Sequence, residues 1–162
     1  MFERFNTEVR AVVFSAAQEA TVRRGEGRVG SDHLLIGVVA TGNHAAEQAG
    51  LSVDGLHEAL DRLDARALGA VGLDAANLAL SRPWGWAGRG HLPFTRGAKN
   101  ALHRTLRIAI DLGHRQISSD HLLAGLTVGG PKDPAVRLLR ACSVEPAELE
   151  SAVRRRLHPQ AS

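Results

Sequence analysis

Ser31, Asp32 and His33 stand side by side, and the same three residue types recur as Ser119, Asp120 and His121, each time followed by Leu-Leu-x-Gly. A hydroxyl, a carboxylate and an imidazole are the types a hydrolase triad uses, with the hydroxyl as nucleophile and the imidazole as its base. Neighbours one or two positions apart on a helix do not face each other, so these three cannot relay a proton in line. The pattern suits a helix start better: Ser as N-cap, His bonded to backbone, Leu packed inward, and Gly letting a neighbouring helix come close. Asp32 and Asp120 are less fully explained, because an acid early in a helix gains only about 0.3–1 kcal/mol from the dipole and many residues would serve.

Other chemistries are weaker. A phosphate-cradling G-x-x-x-x-G-K-[ST] loop is absent, so nucleotide-driven work is not expected of this chain. "GEGRVG" places Gly25, Gly27 and Gly30 in a G-x-G-x-x-G pattern, but a helix precedes it where the dinucleotide fingerprint needs a strand. The eight histidines show neither H-E-x-x-H nor paired-ligand spacing, so neither a metal nor a cofactor is expected, and no catalytic residue is assigned. Cys142 is the single cysteine, which excludes an internal disulfide and fits a reducing compartment, with a small buried hydrophobe as its role.

The net charge is +3, carried almost wholly by arginine, with Lys99 and Lys132 the only lysines. That balance raises a competing class, a small regulator that binds nucleic acid. The arginines are spread among acids along helical faces, the dense run is Arg154, Arg155 and Arg156 alone, and the chain has no tyrosine to stack on bases. A solvated helix surface is the preferred reading. No apolar run reaches the roughly 18–20 residues that cross a bilayer, and "MFERFNTEVR" lacks a signal peptide's apolar core. A cytoplasmic location without membrane contact is expected.

Helices must therefore position the duplicated motif. Val9, Val12, Val13, Ala16, Ala17 and Ala20 recur at three-and-four spacing and predict a first helix with one buried stripe. Ala98, Ala101, Leu102, Thr105, Leu106 and Ala109 repeat that stripe when Phe5 is aligned with Phe94. A Gly-containing loop follows each, then the Ser-Asp-His helix closed by Gly42 or Gly130, a short helix around 45–49 or 135–141, and a last helix. The last helices carry Leu56, Leu60 and Leu63 in one half against Leu149, Val153 and Leu157 in the other. The expectation is all-α: two tandem four-helix repeats, 1–63 and 94–158. Residues 64–93 join them as a linker with a short helix and with Trp84 and Trp86 as anchors or contact points.

This arrangement resembles the N-terminal domain of the ClpC and ClpA class of AAA+ unfoldases over residues 2–63 and 91–157. "GHLPFTRGAKNAL" and "LGHRQISSDHLLAGL" are similar to the actinobacterial ClpC type. The resemblance implies a stand-alone binding module without ATPase modules: a substrate receptor, adaptor or decoy whose partners are Clp substrates, adaptors or a Clp unfoldase. It also implies that the acid of the motif grips the guanidinium of a phosphoarginine tag while the phosphate rests at the start of a first helix. Carried over, this pairs Asn6 with Asp32 and Thr95 with Asp120, with Asp standing where the family has Glu and Asn6 where it has Thr. Phe2, Phe5 and Phe94 would border an apolar groove for hydrophobic ligands, cyclic peptides included.

With no phosphate loop, the purified chain is expected neither to bind nor to hydrolyse ATP. Nucleotide-dependent turnover at stoichiometric protein concentration would overturn this.

Overall fold

The computed structural model describes residues 2–23, 25–72 and 92–158. A 3-10 turn, Phe2–Arg4, leads into α1 (Thr7–Gln18), whose final stretch widens to a π-helical turn, Glu19–Arg23. Then come α2 (Ser31–Ala40), α3 (His44–Gln48) and α4 (Val53–Ala70). The second repeat gives α5 (Arg96–Asp111), α6 (Ser119–Thr127), α7 (Pro134–Ala141) and α8 (Pro146–Leu157). The all-α expectation holds, and no strand occurs among the described residues.

Capping chemistry sets the helix starts. Asn6 Oδ1 accepts the Val9 amide at 3.0 Å to open α1, and Thr95 Oγ1 accepts that of Ala98 at 3.2 Å to open α5. Asn43 and Ser52 do the same for α3 and α4, and Pro134 and Pro146 occupy first-turn positions where a missing amide costs nothing. The expected Ser caps of α2 and α6 shift by one residue. Gly30 and Ser118 are the N-caps, while Ser31 and Ser119 are already helical and turn inward.

The two repeats are laced together by backbone. Phe5 pairs with Ile117, and Val29 pairs with Phe94, as two isolated parallel bridges. In the first, the Ile117 amide donates to Arg4 O at 2.7 Å and the Asn6 amide to Ile117 O at 3.0 Å. In the second, the Val29 amide donates to Pro93 O and the Thr95 amide to Val29 O, both at 2.9 Å. Each bridge joins the approach to a first helix in one repeat to the approach to a second helix in the other.

One hydrophobic core runs through both repeats. It holds Val9, Val12, Ala16 and Ala20 from α1, Ala98, Ala101, Leu102 and Ala109 from α5, and the leucines of α2 and α6. Val13, Ala17 and Leu106 are only partly buried. The motif glycines act as expected: a Cβ on Gly37 would sit 2.6 Å from Val12 O, and one on Gly125 would sit 2.9 Å from Ala101 O. Helix α4 continues to Ala70, so residues 64–70 extend the last helix of the first repeat and are not linker. Trp84 and Trp86 lie outside the described residues.

Gly37→Ala and Gly125→Ala are expected to cost about 1–3 kcal/mol by overpacking against backbone, despite alanine's better helix propensity. Gly69→Ala, with nothing within 4 Å of an added Cβ, is the control and should gain about 0.5–1 kcal/mol. Urea melts of the three variants decide the matter, and a stabilised Gly37→Ala would refute the close approach.

Candidate functional site

The motif serines, acids and histidines have separate jobs. Ser31 Oγ donates to Asp133 Oδ1 at 2.6 Å and accepts the Ala135 amide at 3.2 Å, so it fastens α2 to the start of α7 in the other repeat. Ser119, its counterpart, accepts from Asn43 Nδ2 at 3.0 Å, fastening α6 to the start of α3. His33 Nδ1 accepts the Gly30 amide at 2.8 Å, and His121 Nδ1 accepts the Ser118 amide at 3.1 Å, so each imidazole caps its own helix three residues back. The Ser31 and Ser119 hydroxyls are thus held by groups other than the imidazoles, which ends the triad reading of Ser-Asp-His; the hydroxyl beside His121 Nδ1, at 2.8 Å, is that of the N-cap Ser118.

Each capping histidine carries its proton on Nε2, because Nδ1 is an acceptor. His33 Nε2 is buried without a hydrogen bond and lies 3.6 Å from Glu26 Oε2. His121 Nε2 meets His114 Nδ1 at 2.8 Å, the rings packed edge to face. Burial, then the neighbouring His114, holds the His121 imidazole below its ordinary value, with Asp120 opposing. A proton added at Nδ1 would also face the Ser118 amide that donates there.

Crossing of the repeats decides which residues share a cleft. Asn6 lies with Asp120, not Asp32, in a polar cleft of about 360 Å³ that also holds Ser118, Ser119, Asn43 and Arg156. Thr95 lies on the opposite side, where its amide bonds to Val29 just before Asp32, and where a Cβ on Gly97 would be 3.7 Å from Ser31 Oγ. The pairings drawn from a repeat taken by itself are therefore exchanged.

The starts of α6 and α2 differ in chemistry. Both oxygens of Asp120 are engaged: Asn43 Nδ2 donates to Oδ1 at 2.8 Å and Arg156 Nε donates to Oδ2 at 3.1 Å. Glu8 extends its carboxylate over the start of α6, accepting from Ser119 N at 3.4 Å and Ser119 Oγ at 3.1 Å. At the start of α2 the position of Glu8 is taken by Gly97, and among the described residues Asp32 has His33 Nδ1 at 3.7 Å from its Oδ1 and no guanidinium within ion-pair distance. Asp133 stands there in place of Asn43 and is shared with Arg104, 3.4 Å away. Glu8, Asn43 and Arg156 were not singled out from the sequence. Arg156 was hidden in a basic run that read as solvated surface, and Glu8 and Asn43 look like ordinary helix-start residues.

A separate apolar groove of about 1340 Å³ lies beside α1. Phe2 packs edge-on against Phe5 with ring centres 5.1 Å apart and stacks on Phe94 at 6.2 Å. Phe14, Val13 and Ala17 form the α1 wall, and Glu3, Arg10 and Gln18 supply a polar rim. Phe5 is buried at 5% exposure, while Phe2 at 51% and Phe14 at 66% stand open. Sequence reasoning missed Phe14, an aromatic on the side of α1 away from the core stripe.

These features define a pseudo-symmetric, all-helical repeat domain with an aromatic groove beside α1 and a polar cleft at the start of α6. Residues 90–162 match, and belong to, the Clp repeat (R) N-terminal domain family, and the chain as a whole has the fold of Clp N-terminal domains. The N-terminal domain of the chaperone ClpD from Arabidopsis thaliana superposes with a TM-score of 0.75, covering 97% of this chain and 96% of that one at 20% identity. The Hsp104 N-terminal domain from Candida albicans gives a TM-score of 0.62 at 12% identity, covering 92% and 88% of the two chains. In sequence, the chloroplastic chaperone ClpC2 of Oryza sativa subsp. japonica is 30% identical over 157 residues, 94% of this chain and 15% of that protein. A ClpA homolog of Porphyra purpurea is 32% identical over the same length, 94% of this chain and 17% of its own. The chain thus spans a small part of these relatives. No described helix is long and apolar enough to cross a membrane.

Because the folded imidazole of His121 titrates below the unfolded value of 6.5, the unfolded state binds more protons in that interval. The resulting stability is complete above pH 6.5 and is lost as pH falls through the folded value. Denaturation at descending pH should show this loss, and His114→Ala should lessen it while burial keeps part of it. A fold more stable at pH 5 than at pH 7.5 would contradict the assignment.

Proposed function

We propose that this chain is a non-catalytic protein-binding module that acts as a substrate receptor, adaptor or decoy in a Clp unfoldase and protease system. One observation carries the reading: all four phenylalanines of the sequence, Phe2, Phe5, Phe14 and Phe94, line a single groove. A chain with 4% aromatic content that commits every phenylalanine to one open surface, and leaves two of them more than half exposed, has an apolar contact to make. Extended apolar segments of proteins and compact hydrophobic cyclic peptides suit such a groove. The domain match supports the Clp setting, since the relatives named above are Clp chaperones and Clp protease subunits.

A second ligand class is drawn from Asp32. Its carboxylate has no guanidinium partner among the described residues, and the first turn of α5, which carries Gly97 at the position of Glu8, offers backbone amides of the kind that hold anions. A phosphoarginine side chain offers both a cation and an anion, so Asp32 would hold the guanidinium and the Thr95–Gly97 turn the phosphate. Nucleic-acid binding stays the competing class, distinguished by a steep loss of affinity with salt that an apolar groove does not show.

Phe2→Ala and Phe14→Ala should each weaken binding of an apolar peptide by up to about 1.5–3 kcal/mol, with little change in melting temperature. Titration calorimetry beside thermal melts reads both, and unchanged affinity in the double variant sinks the groove. Asp32→Ala should remove about 1.5–3 kcal/mol from binding of a phosphoarginine peptide and leave the apolar peptide unaffected. Equal affinity for phosphoarginine and arginine peptides would dismiss the second ligand class.

A further inference from the structure

We propose that the outer face of α5 is a further docking surface, and that its occupant is an extended acidic segment of a partner protein with an apolar residue beside its carboxylates. The proposal stands apart from the aromatic groove and does not need it. Arg96, Lys99, His103, Arg107 and Ile110 recur at three-and-four spacing along α5. At about 100° per residue they fall within a sector of roughly 80°, opposite the buried Ala98, Ala101, Thr105 and Ala109. All five are exposed, Ile110 at 55%. Among the described residues none of Arg96, Lys99, His103 and Arg107 has a carboxylate within ion-pair distance, whereas the neighbouring Arg104 is tied to Asp133 at 3.4 Å. Local helix physics does not ask for these cations. Arg96 and Lys99 are like charges three residues apart, which repel, and both stand near the helix start, where the dipole favours acids.

The same face of α1 is already a wall of the groove. With Phe5 aligned to Phe94, the residues Lys99, His103, Arg107 and Ile110 correspond to Arg10, Phe14, Gln18 and Thr21, all of which line that groove. The second repeat therefore turns the equivalent face outward with cations where the first has its aromatic wall. An extended chain suits the spacing. Its alternate side chains lie about 6.6 Å apart on one side, close to the rise of about 6 Å between Lys99, His103 and Arg107, and about seven residues cover the roughly 21 Å from Arg96 to Ile110. Ile110 decides between polyanions. An exposed isoleucine has nothing to offer a phosphate backbone, the exposed carboxylate of Asp111 beside it repels one, and no aromatic ring lies in the sector for a base to stack on. A protein segment can answer both features, with carboxylates over the cations and an apolar side chain over Ile110.

Exposed ion pairs are individually weak, so the test is an amide-resolved NMR titration of the full chain, which detects weak complexes and locates them. The probes are the capped peptide Glu-Ser-Glu-Ser-Glu-Ser-Leu, the same peptide with leucine first, and both with glutamine for glutamate. The ionic strength is held at about 0.15 M, where exposed charges more than about 8 Å apart are screened. The expected result is a saturable shift of α5 amides with at least one acidic peptide and none with the glutamine peptides, while the amides of Val13 and Phe14 stay in place. Lys99→Glu combined with Arg107→Glu should weaken binding about tenfold or more, and Ile110→Ser about three- to tenfold. Circular dichroism melts confirm that both variants fold, and an acid at position 99 suits a helix start. Acidic peptides that move no α5 amide overturn the proposal, and so does an affinity that Ile110→Ser leaves unchanged, which would mark a mere counter-charge. An oligothymidylate that binds this face as tightly as the acidic peptides would assign it to nucleic acid and also overturn the proposal.

Discussion

The crossed backbone pairing of Phe5 with Ile117 and Val29 with Phe94 is the constraint from which the rest of this structure follows. Extended residues next to a core carry amides and carbonyls that must be paired, and neither repeat can pair them alone. Exchange between the repeats supplies the partners: four hydrogen bonds of 2.7–3.0 Å close both bridges. The geometry then has no freedom left. The start of α1 must lie against the start of α6, and the start of α5 against the start of α2. The cleft at Asp120 is therefore composite, and one core runs through both repeats.

A symmetric frame of this kind separates what is shared from what has diverged. The shared set is structural: the capping imidazoles of His33 and His121, the buried hydroxyls of Ser31 and Ser119, and the contact glycines Gly37 and Gly125. Divergence sits where side chains reach across the repeat boundary. Glu8 corresponds in register to Gly97, and Asn43 to Asp133. Each exchange alters charge, so the starts of α6 and α2 acquire different electrostatics.

Much of this was legible in sequence because helices announce themselves locally. The stripes of α1 and α5 and the duplicated Ser-Asp-His-Leu-Leu-x-Gly gave the repeats, and a rule of periodicity needs nothing from distant residues. The N-cap shift was a smaller failure of the same local reasoning: Ser31 looked like a cap, yet its hydroxyl donates to Asp133 at 2.6 Å and Gly30 takes the cap position. The cleft pairings failed for a different reason. Asn6 and Asp120 meet only because the bridges cross, and no spacing within a repeat encodes a crossing. Phe14 was invisible because an aromatic outside the core stripe reads as a lone surface residue until Phe2 and Phe94 are seen beside it.

Helix α1 bears both halves of this chemistry, which decides how the two can be separated. Its inner stripe, Val9, Val12 and Ala16, is wholly buried, its outer side gives Phe14 and Val13 to the groove, and its first turn gives Glu8 to the Asp120 cleft. Phe5, just ahead of it, is at once a groove ring and a bridge residue, so removing that ring would open a cavity beside the lacing as well as alter the groove. Phe2 and Phe14 make no such double contribution. Their exposure of 51% and 66% means that the fold has gained little from them, and their contact energy remains available to a partner. The residues least needed to hold the domain together are therefore those that best report what it binds.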